Sequence, residues 1–278
     1  MRVPVGLWLI SVLLLLLPCN PASADPIEVL WLGHATTRIT TATGKVIVID
    51  PFLTTNPKTP PEYRDLRAVG HVDLILVTHG HPDHTWDLVE LQKLTNAKVV
   101  ANYEFGRNLA TMGLINEDLV IAMGKGGSVE PLGRGIKISM VPAEHSSSID
   151  FTEFGLRPSG SASMRYGGGG GDPVGYVIQL ETGFTIYHTG DTAVFGDMAL
   201  IQKFYRPDLA LVCIGGFYTM DPEQAAYAMT ELVKPKMVIP IHWGTYPVIN
   251  RTPAEFAKAL AGSPVQMLEL VPGQAWKF

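Results

Sequence analysis

Three imidazoles and a carboxylate occupy six consecutive positions in the segment Thr78-His79-Gly80-His81-Pro82-Asp83-His84. The segment directly follows an apolar run at residues 73–77. A strand-to-helix turn can splay alternate side chains toward one point. Imidazole with carboxylate is a donor set for Zn2+, Mn2+ or Fe. A solvated histidine-rich loop is the competing reading. It is disfavoured because the cluster ends a buried strand and lies in no low-complexity tract. One turn cannot furnish a two-metal site, and further donors recur at equivalent places. His145 follows the run at residues 136–141, Asp191 follows residues 184–187, and His242 ends residues 237–241. The carboxyl edge of a sheet is where α/β proteins place ligand sites.

Those donors need strands to hold them. Apolar, β-branched runs occur at residues 28–32, 45–49, 73–77, 98–100, 136–141, 174–180, 184–187, 209–214, 237–241 and 265–270. Their length and composition predict strands, several buried on both faces. The early runs predict a hairpin or meander around Ala42-Thr43-Gly44. Helices are predicted at residues 86–94, with Trp86, Val89, Leu91 and Leu94 on one face, and at 223–233, after Asp221 as N-cap and Pro222 at N1. A third is predicted at 253–260, after Thr252. Helices alternating with the later strands imply a layered α/β sandwich. Residues 54–67, rich in Thr and Pro, predict a loop. Residues 146–173, with five consecutive glycines at 167–171, predict a long irregular insert.

The N-terminus predicts export. Arg2 is followed by an apolar stretch at residues 5–17 and the small-x-small site Ala22-Ser23-Ala24. That stretch is short for a membrane span, which takes about 20 residues. Residues 1–24 are therefore expected to be a cleaved signal peptide, with a periplasmic or secreted domain at 25–278 that keeps no stable membrane span. Removal of Cys19 leaves Cys213 alone, so no intrachain disulfide is expected, and Cys213 predicts a small buried hydrophobe. The net charge of −5 and the lack of any basic run argue against a nucleic-acid partner.

The spacing His79-x-His81-x-Asp83-His84, with His145, Asp191 and His242 in order, resembles the metallo-β-lactamase superfamily across essentially the whole mature chain. Trp31-Leu32-Gly33-His34-Ala35, Ile49-Asp50-Pro51-Phe52, Tyr187-His188-Thr189-Gly190-Asp191-Thr192 and Ile239-Pro240-Ile241-His242 are similar to a branch of metal-dependent hydrolases related to L-ascorbate-6-phosphate lactonase. The resemblance implies a four-layer αββα sandwich with the site along one edge. It implies two divalent ions, Zn2+ foremost, with Mn2+ or Fe as alternatives. His79, His81 and His145 are implied for the first ion, Asp83, His84 and His242 for the second, and Asp191 as the bridge. A bridging aspartate points toward the lactonase, thioesterase and phosphodiesterase side of the superfamily rather than its β-lactamases.

The expected activity is hydrolysis of a lactone, ester or phosphoester-type small molecule by a metal-bridging hydroxide. Asp83 is expected to orient the nucleophile or accept its proton. His188, if protonated, is a candidate to assist the leaving group. A hydrogen-bonded structural role is the competing reading for His188, as it is for His34. Asp50 either orients a ligand imidazole or forms the turn before Pro51. Phe217, Tyr218 and Trp243 are candidates to shape the pocket. Arg157 and Arg165 in the insert suggest an anionic substrate, with the glycine run as the hinge of a lid. An exported β-lactamase and a non-catalytic envelope metal- or ligand-binding protein are the alternatives. An oligomer is compatible with the sequence.

Overall fold

The computed structural model describes residues 1, 25–150, 152, 154, 166, 167 and 169–278. The expected signal segment at residues 2–24 lies outside them, as do Arg157 and Arg165. Among the described residues no helix is long and apolar enough to cross a membrane.

Two seven-stranded sheets face each other. The first contains β1 (Glu28–Gly33), β2 (Thr36–Thr40), β3 (Val46–Ile49), β4 (Leu74–Leu76), β5 (Lys98–Asn102) and β6 (Val120–Met123) in spatial order. Its outer edge beside β1 is β16 (Ala275–Lys277). The expected hairpin is present, since β2 and β3 pair antiparallel around residues 41–45, whereas β3 to β6 run parallel. The second sheet is built from β7 (Ser128–Val129), β8 (Lys137–Pro142), β11 (Val174–Gln179), β12 (Thr185–His188), β13 (Leu209–Cys213), β14 (Met237–Ile241) and β15 (Gln266–Met267). Between β8 and β11 in sequence, β9 (Ile149–Asp150) and β10 (Tyr166–Gly167) form a separate pair.

Period-2 alternation sorts each strand's side chains between layers. From β3, Ile47 and Ile49 enter the core between the sheets, and Val48 turns outward to the helices. From β13, Leu209 and Leu211 point inward, and Ala210 and Val212 point outward. Two covered faces explain the unbroken apolar runs. The outer face of the first sheet packs on α2 (Leu88–Thr95) and α3 (Tyr103–Thr111) through Leu88, Leu91, Phe105 and Leu109. The second packs on α4 (Met198–Phe204), α5 (Pro222–Tyr227) and α6 (Pro253–Ala259) through Met198, Ala225 and Phe256. This is the expected four-layer αββα sandwich. Asp221 and Thr252 each form a capping box at the predicted helix starts. Cys213 is buried, as expected.

Three readings of local structure need correction. The helix expected from Trp86 starts at Leu88, because the Asp87 carboxylate accepts from Leu53 N, Thr54 N and Thr54 Oγ1 instead of continuing a helical face. Its buried face is Leu88, Leu91 and Gln92, whereas Trp86 and Leu94 are exposed. The loop expected at residues 54–67 contains a 3-10 turn at Pro61–Arg64, and a second follows at Leu66–Val69. The glycines Gly169, Gly170 and Gly171 are not a free hinge. Asn108 Nδ2 donates to Gly169 O, Ser147 Oγ and Asn102 Nδ2 donate to Gly170 O, and a Cβ at Gly170 would lie 2.6 Å from Ser147 Oγ. At Gly170 the Ser147–Ser148 chain approaches too closely for a side chain, and Gly169 (φ 98°) and Gly171 (φ 63°) take positive φ, which favours glycine.

Candidate metal centre

The two sheets are joined along the edge where the candidate donors emerge. His242 N donates to His34 O at 2.9 Å, Val174 N to Thr78 O at 3.0 Å, and Tyr176 OH to Val77 O at 2.8 Å. Three strand ends turn off this edge in the left-handed region: His34 (φ 55°) after β1, Asp50 (φ 49°) after β3 and His242 (φ 54°) after β14. That conformation costs a non-glycine residue roughly 1–2 kcal/mol. Its concentration at one edge marks a functional site, where packing holds unfavourable backbone in place. After His81, Pro82 opens the short helix α1 (Pro82–Thr85), which carries Asp83 and His84.

The predicted ligands meet. Donor atoms of His79, His81 and His145 lie within 4.8 Å of one another, and so do those of His79, His84 and Asp191. A third group joins Asp83, His84 and His242 to His34. Asp191 Oδ2 lies 2.9 Å from His242 Nε2, 3.4 Å from His84 Nε2 and 3.7 Å from His145 Nε2, so one carboxylate touches both expected ligand sets. Several of these atoms are buried without a hydrogen bond: His84 Nε2, Asp191 Oδ1 and both ring nitrogens of His242. The 2.9 Å approach of His242 to Asp191 is an ion-pair contact whose angles do not suit a hydrogen bond. Buried polar atoms without partners are costly, and this donor chemistry fits divalent metal. The group sits at an open cleft of about 660 Å³ lined by His81, Asp83, His145, Asp191 and His242.

Outer contacts orient the imidazoles. Asp50, fully buried, accepts from Thr78 N at 2.8 Å and Thr78 Oγ1 at 2.7 Å, and its Oδ2 lies 2.8 Å from His84 Nδ1. It therefore both makes the turn and aims His84 Nε2 at Asp191. His34 Nδ1 is 2.8 Å from Thr245 Oγ1 and its Nε2 is 3.1 Å from Asp83 Oδ2. His34 was left outside the ligand set by its sequence, and Thr245 carries no sequence signal at all. His188 does not join the cluster. Its Nδ1 accepts from Gly190 N, its Nε2 lies 3.1 Å from Ala35 O, and it is buried away from the cleft. No nitrogen remains for the expected transfer to a leaving group. Tyr218 lines the cleft, whereas Trp243 packs on Trp31 at 5.6 Å instead.

Without metal these side chains titrate unequally. Burial, reinforced by His84, holds His79 far below the usual imidazole range and His81 at about 4. Burial and His242 bring His34 to about 4. Burial also opposes charge on His84, but Asp191 and Asp50 overcome it and hold His84 well above the usual value. Burial opposes ionisation of Asp191, yet His242 and His84 hold its carboxyl well below the usual range. The depressed histidines contribute stability that is intact above about pH 6.5 and lost as pH falls through their folded values. The contribution of His84 has the opposite sign, present below about pH 6.5 and lost on going through its raised value. Chelated protein is therefore expected to melt highest near about pH 6.5 and several degrees lower by about pH 4.5. A melting temperature that holds or climbs over that acid interval would contradict these environments.

Comparison with known proteins agrees with this geometry. The family model for the beta-lactamase superfamily domain matches residues 45–243. A metal-dependent hydrolase of Cupriavidus taiwanensis is 49% identical over 263 residues, covering 94% of this chain and 90% of that protein. A metal-dependent hydrolase of Thermodesulfovibrio yellowstonii is 41% identical over 271 residues, covering 96% of this chain and 97% of that protein. The solved structure of a metallo hydrolase from the archaeon Ignicoccus hospitalis superposes with a TM-score of 0.75 at 31% identity, covering 91% of this chain and 98% of that one. The chain belongs to the metallo-β-lactamase superfamily and is one of its metal-dependent hydrolases.

Proposed function

We propose that the chain hydrolyses a small-molecule lactone, ester or phosphoester at a two-metal centre. His79, His81 and His145 would hold one divalent ion, Asp83, His84 and His242 the other, and Asp191 both. The observation that carries this reading is the contact of Asp191 with imidazoles of both sets, its second oxygen left buried and unpartnered. Zn2+ is the ion we infer, since imidazole and carboxylate suit it best. Divalent ions held there supply a Lewis acid for a carbonyl or phosphoryl oxygen and lower the pKa of bound water.

The chain's own residues orient and hold. With Thr245 Oγ1 donating to Nδ1, His34 keeps its proton on Nε2 and donates it to Asp83 Oδ2. This fixes the Asp83 carboxylate at the cleft. Burial opposes its charge, but His34 and the neighbouring imidazoles hold its carboxyl far below the usual range, so it stays anionic. Asp83 thus acts as a ligand and as an acceptor that orients water.

The test is an assay of chelated and Zn2+-reloaded protein on lactone, ester, phosphodiester and β-lactam substrates. Turnover of one of the first three, abolished by chelator and restored by Zn2+, is the expected result. Turnover that survives metal removal, or is confined to the β-lactam, would reject the reading. We also propose export, on the order of charge, apolar stretch and Ala22-Ser23-Ala24 in the N-terminal sequence. Mass spectrometry of protein from the native host's envelope should find Asp25 as the first residue. An intact chain retaining Met1 in the cytoplasm would exclude export.

A further inference from the structure

The metal centre accounts for the floor of the cleft but not for its mouth. Four large hydrophobic residues stand there in solvent: Trp86 (39% exposed), Tyr218 (56%), Tyr246 (37%) and Val248 (44%). They come from three separate places, the end of α1 and the loops after β13 and β14, and they converge on one opening. Outside it, Phe217 stacks edge-on against Tyr218 with ring centroids 4.7 Å apart. Phe217 is 75% exposed and sits at φ 60°. A bulky residue avoids that backbone region, and its ring gains almost no burial in return. Neither packing nor backbone preference accounts for an aromatic there. The loop is anchored: Gly216 N donates to Met220 O, and Met220 N to Thr192 O, at 3.0 Å each. Thr192 adjoins Asp191, so the aromatic rim is tied to the strand end that carries the central carboxylate.

The acids lining the cleft are the proposed metal ligands. Among the described residues lining the cleft there is no Lys or Arg, and the acids are Asp83 and Asp191. An apolar arm would meet aromatic and aliphatic side chains from all three places, and exposed apolar patches of this kind mark binding sites.

Resting on the hydrolytic reading above, we propose that the substrate is an ester or lactone bearing an apolar arm, acyl or aryl. The arm lies against Trp86, Tyr218, Tyr246 and Val248, with Phe217 as its outer edge. Its free energy of burial, not an ion pair, sets specificity. Each methylene placed in such a groove raises kcat/KM several-fold, to a limit set by groove length.

The experiment uses the Zn2+-loaded full mature domain with the 4-nitrophenyl esters of acetate, butyrate and hexanoate. The mono-4-nitrophenyl ester of adipate adds an arm of equal length ending in a carboxylate. We expect kcat/KM to climb about tenfold or more from acetate to hexanoate, and to fall about tenfold from hexanoate to adipate. Trp86→Ala and Tyr218→Ala should flatten the climb, the loss growing with chain length, with metal content unchanged. A flat series in the unaltered protein, or adipate equal to hexanoate, would overturn the arm site. Calorimetric binding of hexanamide separates this inference from the hydrolytic one. If no ester is turned over, the hydrolytic reading of ester substrates fails. The arm site then stands if Trp86→Ala weakens hexanamide binding about fivefold or more, and falls if binding is unaltered.

Discussion

Asp191→Ala is expected to lose metal and turnover together. Asp191 Oδ2 lies between 2.9 and 3.7 Å from nitrogens of His242, His84 and His145, and its Oδ1 is buried without a partner. Among the described residues no other carboxylate ion-pairs with imidazoles of both sets, so alanine would remove a donor from each of the two proposed ions at once. Residues that merely orient ligands cost about 10–100-fold in metal affinity when replaced. A shared ligand should exceed that, taking bound metal from near two equivalents to one or fewer. Turnover should fall by roughly 10³-fold or more, as for loss of a group on which the chemical step depends. Elemental analysis paired with steady-state kinetics decides it. A full metal complement with unaltered turnover would remove Asp191 from the centre.

The second large effect is expected at a residue that touches no metal in this assignment. Asp50→Ala leaves Thr78 N, Thr78 Oγ1 and His84 Nδ1 without their common acceptor, all in the buried interior. Removing one partner of such a buried charged network costs about 3–5 kcal/mol. In a domain of this size that is a fall in melting temperature on the order of 10 °C. Because His84 then loses its orientation, metal affinity should also drop by about 10–100-fold. Asp50→Asn keeps the shape and one acceptor oxygen, so its losses should be smaller on both counts. Thermal melts with and without Zn2+, together with metal titration, report the two effects separately. An Asp50→Ala protein that melts and binds like the original would show that Asp50 only forms the turn before Pro51.

Much of the architecture was legible because both sheets are covered on both faces. Runs such as residues 209–214 and 237–241 are apolar without interruption, and they form β13 and β14. Helices were legible where a cap announced them, as at Asp221 and Thr252. α3 was not anticipated, because Tyr103–Thr111 follows β5 without a break and its buried face is only Phe105, Gly106, Leu109 and Ala110. Asn102 caps it by accepting from Phe105 N, while its Nδ2 holds the far-distant Gly170. The face assigned to Trp86 failed for a related reason. Periodicity registers that Trp86 is apolar, not that it stands exposed at the cleft.

The sequence by itself determined which groups are available and in what order they reach the edge. Three histidines and an aspartate within one turn, with His145, Asp191 and His242 each just past an apolar strand, already point to a metal centre. Local order along the chain is enough for that, since strand ends on parallel neighbours share an edge. What the sequence left open were the roles of residues whose partners are far away in it. His34 and His188 are the same side chain at the end of similar strands. Tertiary packing alone sets His34 beside Asp83 and Thr245, 211 residues from the latter, and sets His188 Nε2 against Ala35 O, while His188 Nδ1 accepts locally from Gly190 N. A histidine's function follows from what its two nitrogens meet, and the long-range contacts that separate His34 from His188 exist only once the two sheets have closed on each other.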